Sequence, residues 1–420
     1  MVIGCPYCAA IQEMPALPRR GQLACRICHS VLERRTGRSL DAALACGTAA
    51  LLLLFPANLL PLLTAVAPGG ATARIHLASG CTTIWGQGYP LVAMLCIMMG
   101  VVLPFLRFGV LVASLAALRL GRQDRWIGPA FRFADRLDIW AMPDVLLAGS
   151  VIGYGRVASY IPVQIGPGGY CFVGAALLAM LTRASLDRRA VWRRIAPPGD
   201  APGPDPIACV ACDLVLPAAM EGRRCPRCAA RLHRRMPASL SRVTALVLTG
   251  ALLLPLAYYF PASALVELGV QYPHTIADGI ALLFQHGYWP VGVLICCTSI
   301  GIPFGKLIGL GWFCLSVECG SKRWLHFRTS LYRVIDEIGR WSNLDPFTVV
   351  IFTPMVQFPG MAFIQVRGGA PIFMIVVVLS MVAARLFDPR LMWDAAGYGR
   401  AAAGTERVSE YAAEPLGNRP

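Results

Sequence analysis

Charge is scarce in this sequence. Asp, Glu, Lys and Arg make up 15% of its 420 residues, against roughly a quarter in an ordinary soluble domain. Acidic residues are the scarcer sign, 23 against 38 basic ones, giving a formal charge of +15. Histidines are few and dispersed (His29, His76, His233, His274, His286, His326). With no convergent His/Asp/Glu cluster, an enzyme is not expected. Phosphate loops are missing too: neither Gly-x-x-x-x-Gly-Lys-Ser/Thr nor another nucleotide cradle appears. No nucleotide is expected to bind, and any driving force must come from an ion gradient or another subunit. The first residues, Met1-Val2-Ile3-Gly4-Cys5, lack a basic segment leading into an apolar one. No cleavable signal peptide is therefore expected.

What is present is apolar. Hydrophobic residues make up 56% of the chain, and the mean hydropathy is +0.58. Disorder is excluded, because it needs low hydrophobicity. A small secreted disulfide scaffold is excluded by length. A soluble nucleic-acid binder would explain the charge but not the hydropathy, so no nucleic acid is expected as a partner. Charge-free stretches run from Ala42 to Ala73, Val243 to Val266, Gly279 to Gly305 and Pro346 to Val366. Each could supply the ~20 apolar residues that cross ~30 Å of hydrocarbon. Shorter candidates are Leu91–Leu118, Ile139–Ile161, Tyr170–Thr182 and Ile372–Ala384. Eight spans are expected, centred near 53, 100, 150, 174, 254, 300, 355 and 376. Of the 38 basic residues, 33 fall in 1–40, 119–136, 183–242, 322–340 and 385–420. Basic loops stay in the cytoplasm, so both termini and the central linker are placed there.

The text is written twice, at an offset near 200. Cys28 matches Cys228, and Phe55-Pro56-Ala57-Asn58 matches Phe260-Pro261-Ala262-Ser263. Pro104 and Arg107 match Pro303 and Lys306; Asp135, Trp140 and Asp144 match Asp336, Trp341 and Asp345; Leu186-Asp187 answers Phe387-Asp388. Four spans per half make this a parallel repeat, with both halves entering from the cytoplasm.

Eight of the sixteen cysteines form Cys-x-x-Cys pairs: Cys5/Cys8, Cys25/Cys28, Cys209/Cys212 and Cys225/Cys228. Two such knuckles can close a tetrahedral four-cysteine site. The cytoplasm keeps thiols reduced, which argues against disulfides. Zinc fits the doubled spacing best, as two structural four-cysteine sites; a redox dithiol or an iron–sulfur cluster is the alternative. A module of ~25 residues has too little core to fold without its metal. The other cysteines read as small apolar packing residues. The expected domains are zinc ribbon 1 (1–30), transmembrane half 1 (31–190), a Pro/Gly linker (191–208), zinc ribbon 2 (209–230), transmembrane half 2 (231–395) and a flexible cytoplasmic tail (396–420).

Charges within spans are costly and point to function. Arg107, Lys306, Asp144 and Asp345 are therefore candidates for a transport path or gate, pictured as the ion pairs Arg107–Asp144 and Lys306–Asp345. Snorkelling and helix-dipole roles compete with that reading. Gly301, Gly305 and Gly309 form a small-residue stripe suited to close helix packing. Leu62–Val66 with Thr72–Leu77, and Ala264–Val270 with Phe363–Val366, have strand character, so a small outer sheet is expected in each half. The fold class is thus an all-α polytopic membrane protein. Eight transmembrane helices stand in two parallel-repeat halves of four, each half preceded by a small cytoplasmic zinc ribbon.

Paired knuckles, a first span ending in Pro-Ala-Asn, a long span with a late proline, and Trp341-Ser342-Asn343-Leu344-Asp345 together resemble the paraquat-inducible protein A family. The resemblance covers about residues 1–395. It implies an inner-membrane protein of Gram-negative bacteria that works with a periplasm-spanning MCE-domain tunnel protein in lipid transport between the two membranes. A zinc- or redox-responsive scaffold that anchors and regulates that partner without moving lipid is the alternative.

Overall fold

A computed structural model of the chain describes residues 2–13, 21–35, 40–66, 72–158, 162–195, 206–267, 269–358 and 362–398. The first ribbon is two hairpins. Strands β1 (Val2–Gly4) and β2 (Ile11–Glu13) form one, and β3 (Gly21–Ala24) and β4 (Val31–Arg35) the other. Then come α1 (Leu40–Leu59), β5 (Leu63–Val66), β6 (Thr72–Ile75), α2 (Ser79–Gly86) and the long α3 (Pro90–Arg119). Helices α4 (Ile127–Leu137) and α5 (Pro143–Ala158), strand β7 (Val163–Ile165), and helices α6 (Pro167–Ser185) and α7 (Arg188–Ile195) follow. The second ribbon carries β8 (Pro206–Ala208) and β9 (Val215–Pro217). After it stand α8 (Ser239–Tyr259), β10 (Ser263–Glu267), β11 (Val270–His274), α9 (Ile276–Gln285) and α10 (Trp289–Glu318). The chain continues with α11 (Leu325–Ile338), α12 (Leu344–Met355), β12 (Gln357–Phe358), β13 (Ala362–Val366), α13 (Gly369–Leu386) and α14 (Arg390–Ala395). Among the described residues, each ribbon is followed by seven helices in the same order.

Among the described residues, five helices are long and apolar enough to cross a membrane: α1, α3, α8, α10 and α13. Helix α6 meets the same standard only together with α7, from which it bends by 65°. The helices at the expected spans near 150 and 355 are shorter. Helix α5 has 16 residues and α12 has 12, about 24 and 18 Å at 1.5 Å per residue. The charge-free stretch 346–366 is divided between α12 and the strands β12 and β13. An apolar run of that kind cannot be told from a helix by composition alone.

Both 30-residue helices widen at the same place. A π turn spans Met98–Val102 in α3 and Cys297–Gly301 in α10. Each stands just before a proline, Pro104 or Pro303. Proline has no N–H to return to the preceding turn, and the helix accommodates the missing bond locally.

Two small sheets cap the other end of the bundle, with strand orders β6-β5-β7 and β11-β10-β13-β12. Leu63 pairs with both Ile75 and Ile165, and Ser263 with both His274 and Val366. These are the strands that the alternation implied, extended in each half by a third or fourth partner.

The halves meet through the short helices. Helix α5 packs along α12, where an added Cβ on Gly149 would stand 3.1 Å from the Thr348 amide. Helix α2 of the first half lies against α12 of the second, and a Cβ on Gly80 would fall 1.7 Å from the Val350 carbonyl. The Gln87 side chain bridges to strand β13: its amide donates to the Ile364 carbonyl (2.7 Å) and its oxygen accepts from the Val366 amide (2.9 Å). The expected glycine stripe on α10 is only partly a contact. Gly309 meets Ile335, while Gly301 and Gly305 face open space.

The ribbons dock crosswise. Ribbon 1 packs in one buried cluster with α10, α11 and α14, and ribbon 2 in another with α3, α4 and α7. The expected domain limits shift accordingly. Ribbon 1 continues to Arg35, ribbon 2 begins with β8 at Pro206, and α7 crosses the limit placed at 190. Residues 196–205 of the expected linker and 399–420 of the tail lie outside the described residues.

Asp187 and Asp388 end the last long helix of each half and start the next. Asp187 accepts from the Ala190 amide (3.0 Å). Asp388 accepts from the Arg390 guanidinium (2.8 Å twice) and the Met236 amide (3.0 Å). Burial alone would push the Asp388 carboxyl up, but the Arg390 guanidinium and these amides hold it below its ordinary value.

Gly80→Ala should lower stability by about 1–3 kcal/mol through overpacking, read as a fall in thermal midpoint in detergent. Gly86→Ala, with nothing within 4 Å of its added Cβ, should leave the midpoint unchanged. Asp388→Asn should destabilise near neutral pH by about 1–3 kcal/mol. The Asp388 contribution is complete above the ordinary carboxylate range and is lost as pH falls through the depressed value. The difference between the two proteins should therefore close on acidification.

Candidate metal centres and a polar seam

Each Cys-x-x-Cys is a turn of one design. The amide of the first cysteine donates to a carbonyl five residues on: Cys5 to Ala10 (2.8 Å), Cys25 to Ser30 (2.8 Å), Cys209 to Leu214 (2.9 Å) and Cys225 to Ala230 (2.7 Å). The residue after the second cysteine donates back to the first cysteine's carbonyl. That residue is left-handed in all four turns: Ala9, His29, Asp213 and Ala229, with φ between 54° and 62°. Non-glycine residues take this conformation at a cost, which the closed turn and its bound metal would offset.

The turns aim their sulfurs inward. Cys5, Cys8, Cys25 and Cys28 form one buried group and Cys209, Cys212, Cys225 and Cys228 another, each with all Sγ atoms within 4.8 Å of one another. The nearest Sγ pairs are Cys5–Cys28 and Cys8–Cys25 at 3.5 Å, Cys209–Cys228 at 3.5 Å and Cys212–Cys225 at 3.6 Å. A disulfide would need ~2.05 Å. Four sulfurs at ~2.3 Å from one tetrahedral ion stand ~3.8 Å apart, close to the spacing seen. The donor set therefore fits a metal of that size, with no fifth protein ligand in the group. Hydrogen bonding from its three partner thiols holds Cys25 well below the ordinary thiol value, and the same holds for Cys225. The Gln12 amide also donates to the Cys25 sulfur (3.1 Å). All eight expected ligands are thus brought together.

The four charged candidates are placed differently from the expected pairs. Arg107, on α3, is buried and forms its ion pair with Asp138, in the link between α4 and α5. Arg183, near the end of α6, reaches Asp138 (3.0 Å) and Asp144 (3.0 Å). Arg340 of the second half comes within 3.6 Å of Asp144. Asp144 therefore pairs with Arg183 and Arg340 rather than with Arg107. Lys306 donates to the Gly339 carbonyl and the Ser342 hydroxyl, both at 3.2 Å. Asp345 opens α12, in the first turn, where the helix dipole favours an acid. Asn343 spans the seam, its amide touching the sulfurs of Met142 (3.4 Å) and Met381 (3.1 Å).

The repeat explains the difference. At the offset of 201 that pairs Asp144 with Asp345, Asp138 corresponds to Gly339 and Arg183 to Ala384. The first half keeps a four-member ionic cluster. The second has lost one acid and one base from it, so its cation turns to a backbone carbonyl and a hydroxyl. Asp138, Arg183, Arg340 and Ser342 were missed in the sequence, although Ser342 stands inside the Trp-Ser-Asn-Leu-Asp string. Laying the halves side by side around position 138 would have revealed the others.

The sequence profile of paraquat-inducible protein A matches residues 40–196 and again 240–397. The chain belongs to the paraquat-inducible protein A family. Both matches start at the first long helix after a ribbon and end just beyond α7 or α14. The family relatives are similar along nearly their whole length. The intermembrane transport protein PqiA of Escherichia coli K12 is 28% identical over 400 residues, 93% of this chain and 95% of its own. The lipophilic envelope-spanning tunnel protein A of the same organism is 27% identical over 401 residues, 94% and 92% of the two chains. A probable intermembrane transport protein of Haemophilus influenzae is 23% identical over 412 residues, 93% and 95%. No solved structure matches significantly. With its apolar helices, this family member is a membrane protein.

Cys225→Ser should remove one metal ion per chain and leave the other, measured by elemental analysis of purified protein. Unchanged metal content would sink the assignment of ribbon 2.

Proposed function

We propose that this protein is a bacterial inner-membrane component of a lipid transport system, passing phospholipid-like amphiphiles to or from a periplasm-spanning MCE-domain partner. The observation that carries the reading is the pair of buried cations, Arg107 and Lys306. They stand at equivalent places on the two longest apolar helices and reach toward the seam between the halves. Charge at such a place is expensive and is retained for function. Around it, Arg107 Nη1, Asp144 Oδ1, Arg340 Nε and Asn343 Oδ1 are buried with no hydrogen-bond partner among the described residues. A buried polar group in this state calls for a partner, which water or a lipid headgroup would supply. Arg107, Asp144, Lys306 and Asp345 are the proposed polar path or gate. The names of the relatives, intermembrane transport and envelope-spanning tunnel proteins, support a lipid-handling role and a periplasmic partner.

Chain direction supports eight passes in two parallel halves of four. Helices α1, α5, α8 and α12 lead from the ribbon end to β5, β7, β10 and β12; α3, α6, α10 and α13 lead back. With the basic loops at the ribbon end, both termini are cytoplasmic, and the two sheets face the periplasm, where the partner docks. Zinc is the proposed metal in both ribbons, in a structural role, since a closed set of four cysteines leaves no position for substrate.

The test is purification from native membranes followed by lipid and protein mass spectrometry, with transfer assayed between reconstituted vesicles and the partner. Phospholipid and an MCE-domain protein should co-purify. Lys306→Ala should lower transfer by about tenfold or more, the scale of one buried charged hydrogen bond, with metal content unchanged. A co-purifying partner without lipid, and transfer indifferent to Lys306, would favour the zinc- or redox-responsive scaffold instead.

A further inference from the structure

We infer that the two ribbons and α7 form a crossed coupling, through which the metal state of each ribbon sets the order of the cytoplasmic helices belonging to the opposite half. The inference rests on the reading of the two four-cysteine groups as metal sites. It goes beyond a structural role for the metal, because it names what each ribbon holds in place.

Three sets of contacts carry it. Ribbon 2 follows the first half in sequence and precedes the second, yet it docks on the first. Its Cys209, Cys212, Cys225 and Cys228 share a buried cluster with Phe131 of α4 and Trp192 of α7. The approach is close: a Cβ on Gly128, in the first turn of α4, would fall 1.9 Å from the carbonyl of Arg227, inside the second knuckle. Ribbon 1 precedes the first half and docks on the second. His29 stacks on His326 at 5.3 Å, and Tyr7 meets Tyr332 edge-on at 6.5 Å, both partners standing on α11. The third set joins the two. Arg189 of α7 grips Asp213 of ribbon 2 (3.0 and 3.2 Å). Arg193, one helical turn on, grips the buried Glu33 of ribbon 1 (2.9 and 3.1 Å). The ribbons also touch directly, at Gly4 and Ala208.

The physical consequence follows from size. The cysteine sulfurs are themselves part of each ribbon's core, so a ribbon without metal has almost nothing left to bury and loses its fold. The surface it covered is then exposed on the other half. Loss of metal from ribbon 2 uncovers α4 and α7. Loss of metal from ribbon 1 uncovers α11 and α14. Because α7 holds both ribbons, either loss also frees one of its two arginines.

Hydrogen exchange measured by mass spectrometry on the full chain in nanodiscs, with metal content measured in parallel, tests this. Cys225→Ser should cost one metal and raise exchange by about tenfold or more in 127–137 and 188–195, leaving 325–338 unchanged. Cys8→Ser should do the reverse, raising exchange in 325–338 and 390–395. Gly128→Val blocks the docking face without touching a ribbon. It should keep both metals and still raise exchange in 127–137 and in ribbon 2. Arg193→Ala should keep both metals and loosen ribbon 1. Rises confined to the altered ribbon, or appearing in 325–338 for Cys225→Ser or in 127–137 for Cys8→Ser, would overturn the coupling. Wild-type protein without metal would overturn the metal reading, while the Gly128 and Arg193 variants would still decide whether the docking is crossed.

Discussion

A peptide group inside hydrocarbon must find its hydrogen-bond partner within the protein, and the architecture can be read as the ways this chain meets that demand. The long helices meet it internally. Where Pro104 and Pro303 remove a donor, a π turn takes up the slack. Where α5 and α12 stop short, the chain turns into sheets rather than loops. At the seam, a side chain substitutes for a strand: the Gln87 amide pairs with the Ile364 carbonyl and the Val366 N–H along one edge of β13, as a neighbouring backbone would. The glycines at the seam serve the same end. They let α2, α5 and α12 pack backbone against backbone.

The two halves share a scaffold but not an electrostatic design. In the first, Arg107 and Arg183 enclose Asp138, and Asp144 extends the cluster to Arg340 across the seam. In the second, glycine and alanine stand where that acid and base would be, and Lys306 rests on a carbonyl and a hydroxyl. Neutral partners hold an ammonium less firmly than a carboxylate does. The first half is thus built to keep its charge fixed, and the second has the looser hold.

Much of this was legible in the residues. The two buried groups of four cysteines were legible from spacing alone, since a Cys-x-x-Cys knuckle is a local turn whose geometry needs no tertiary context. The positions of the long helices followed from runs without charge, and the strands at 63–66, 72–75, 263–267 and 362–366 from alternation, while Val270–His274 went unread. What composition could not show was length and company. The stretch 346–366 is apolar throughout, and burial against α2 and α5 makes the same demand as lipid does. Arg107 was paired with Asp144 because their spans are neighbours and both residues stand near the same end; the acid that it meets, Asp138, has no equivalent in the second half. The crossed docking left no trace at all. Each ribbon sits in sequence beside the half it serves least, and nothing in local pattern records which surface a small module will cover.

That crossing bears on the order in which the protein can be made. Ribbon 1 is complete at Arg35, but its docking surface ends near Ala396. At about 5–20 residues per second, the ribosome takes roughly 20 to 70 seconds to synthesise the intervening chain. Before then it can meet only Arg193 of α7 and Ala208 of ribbon 2, which emerge earlier. The ribbon-end face of the first half, meanwhile, stays bare until ribbon 2 emerges. The first element of the chain thus finds its full docking surface only when the last helix is made.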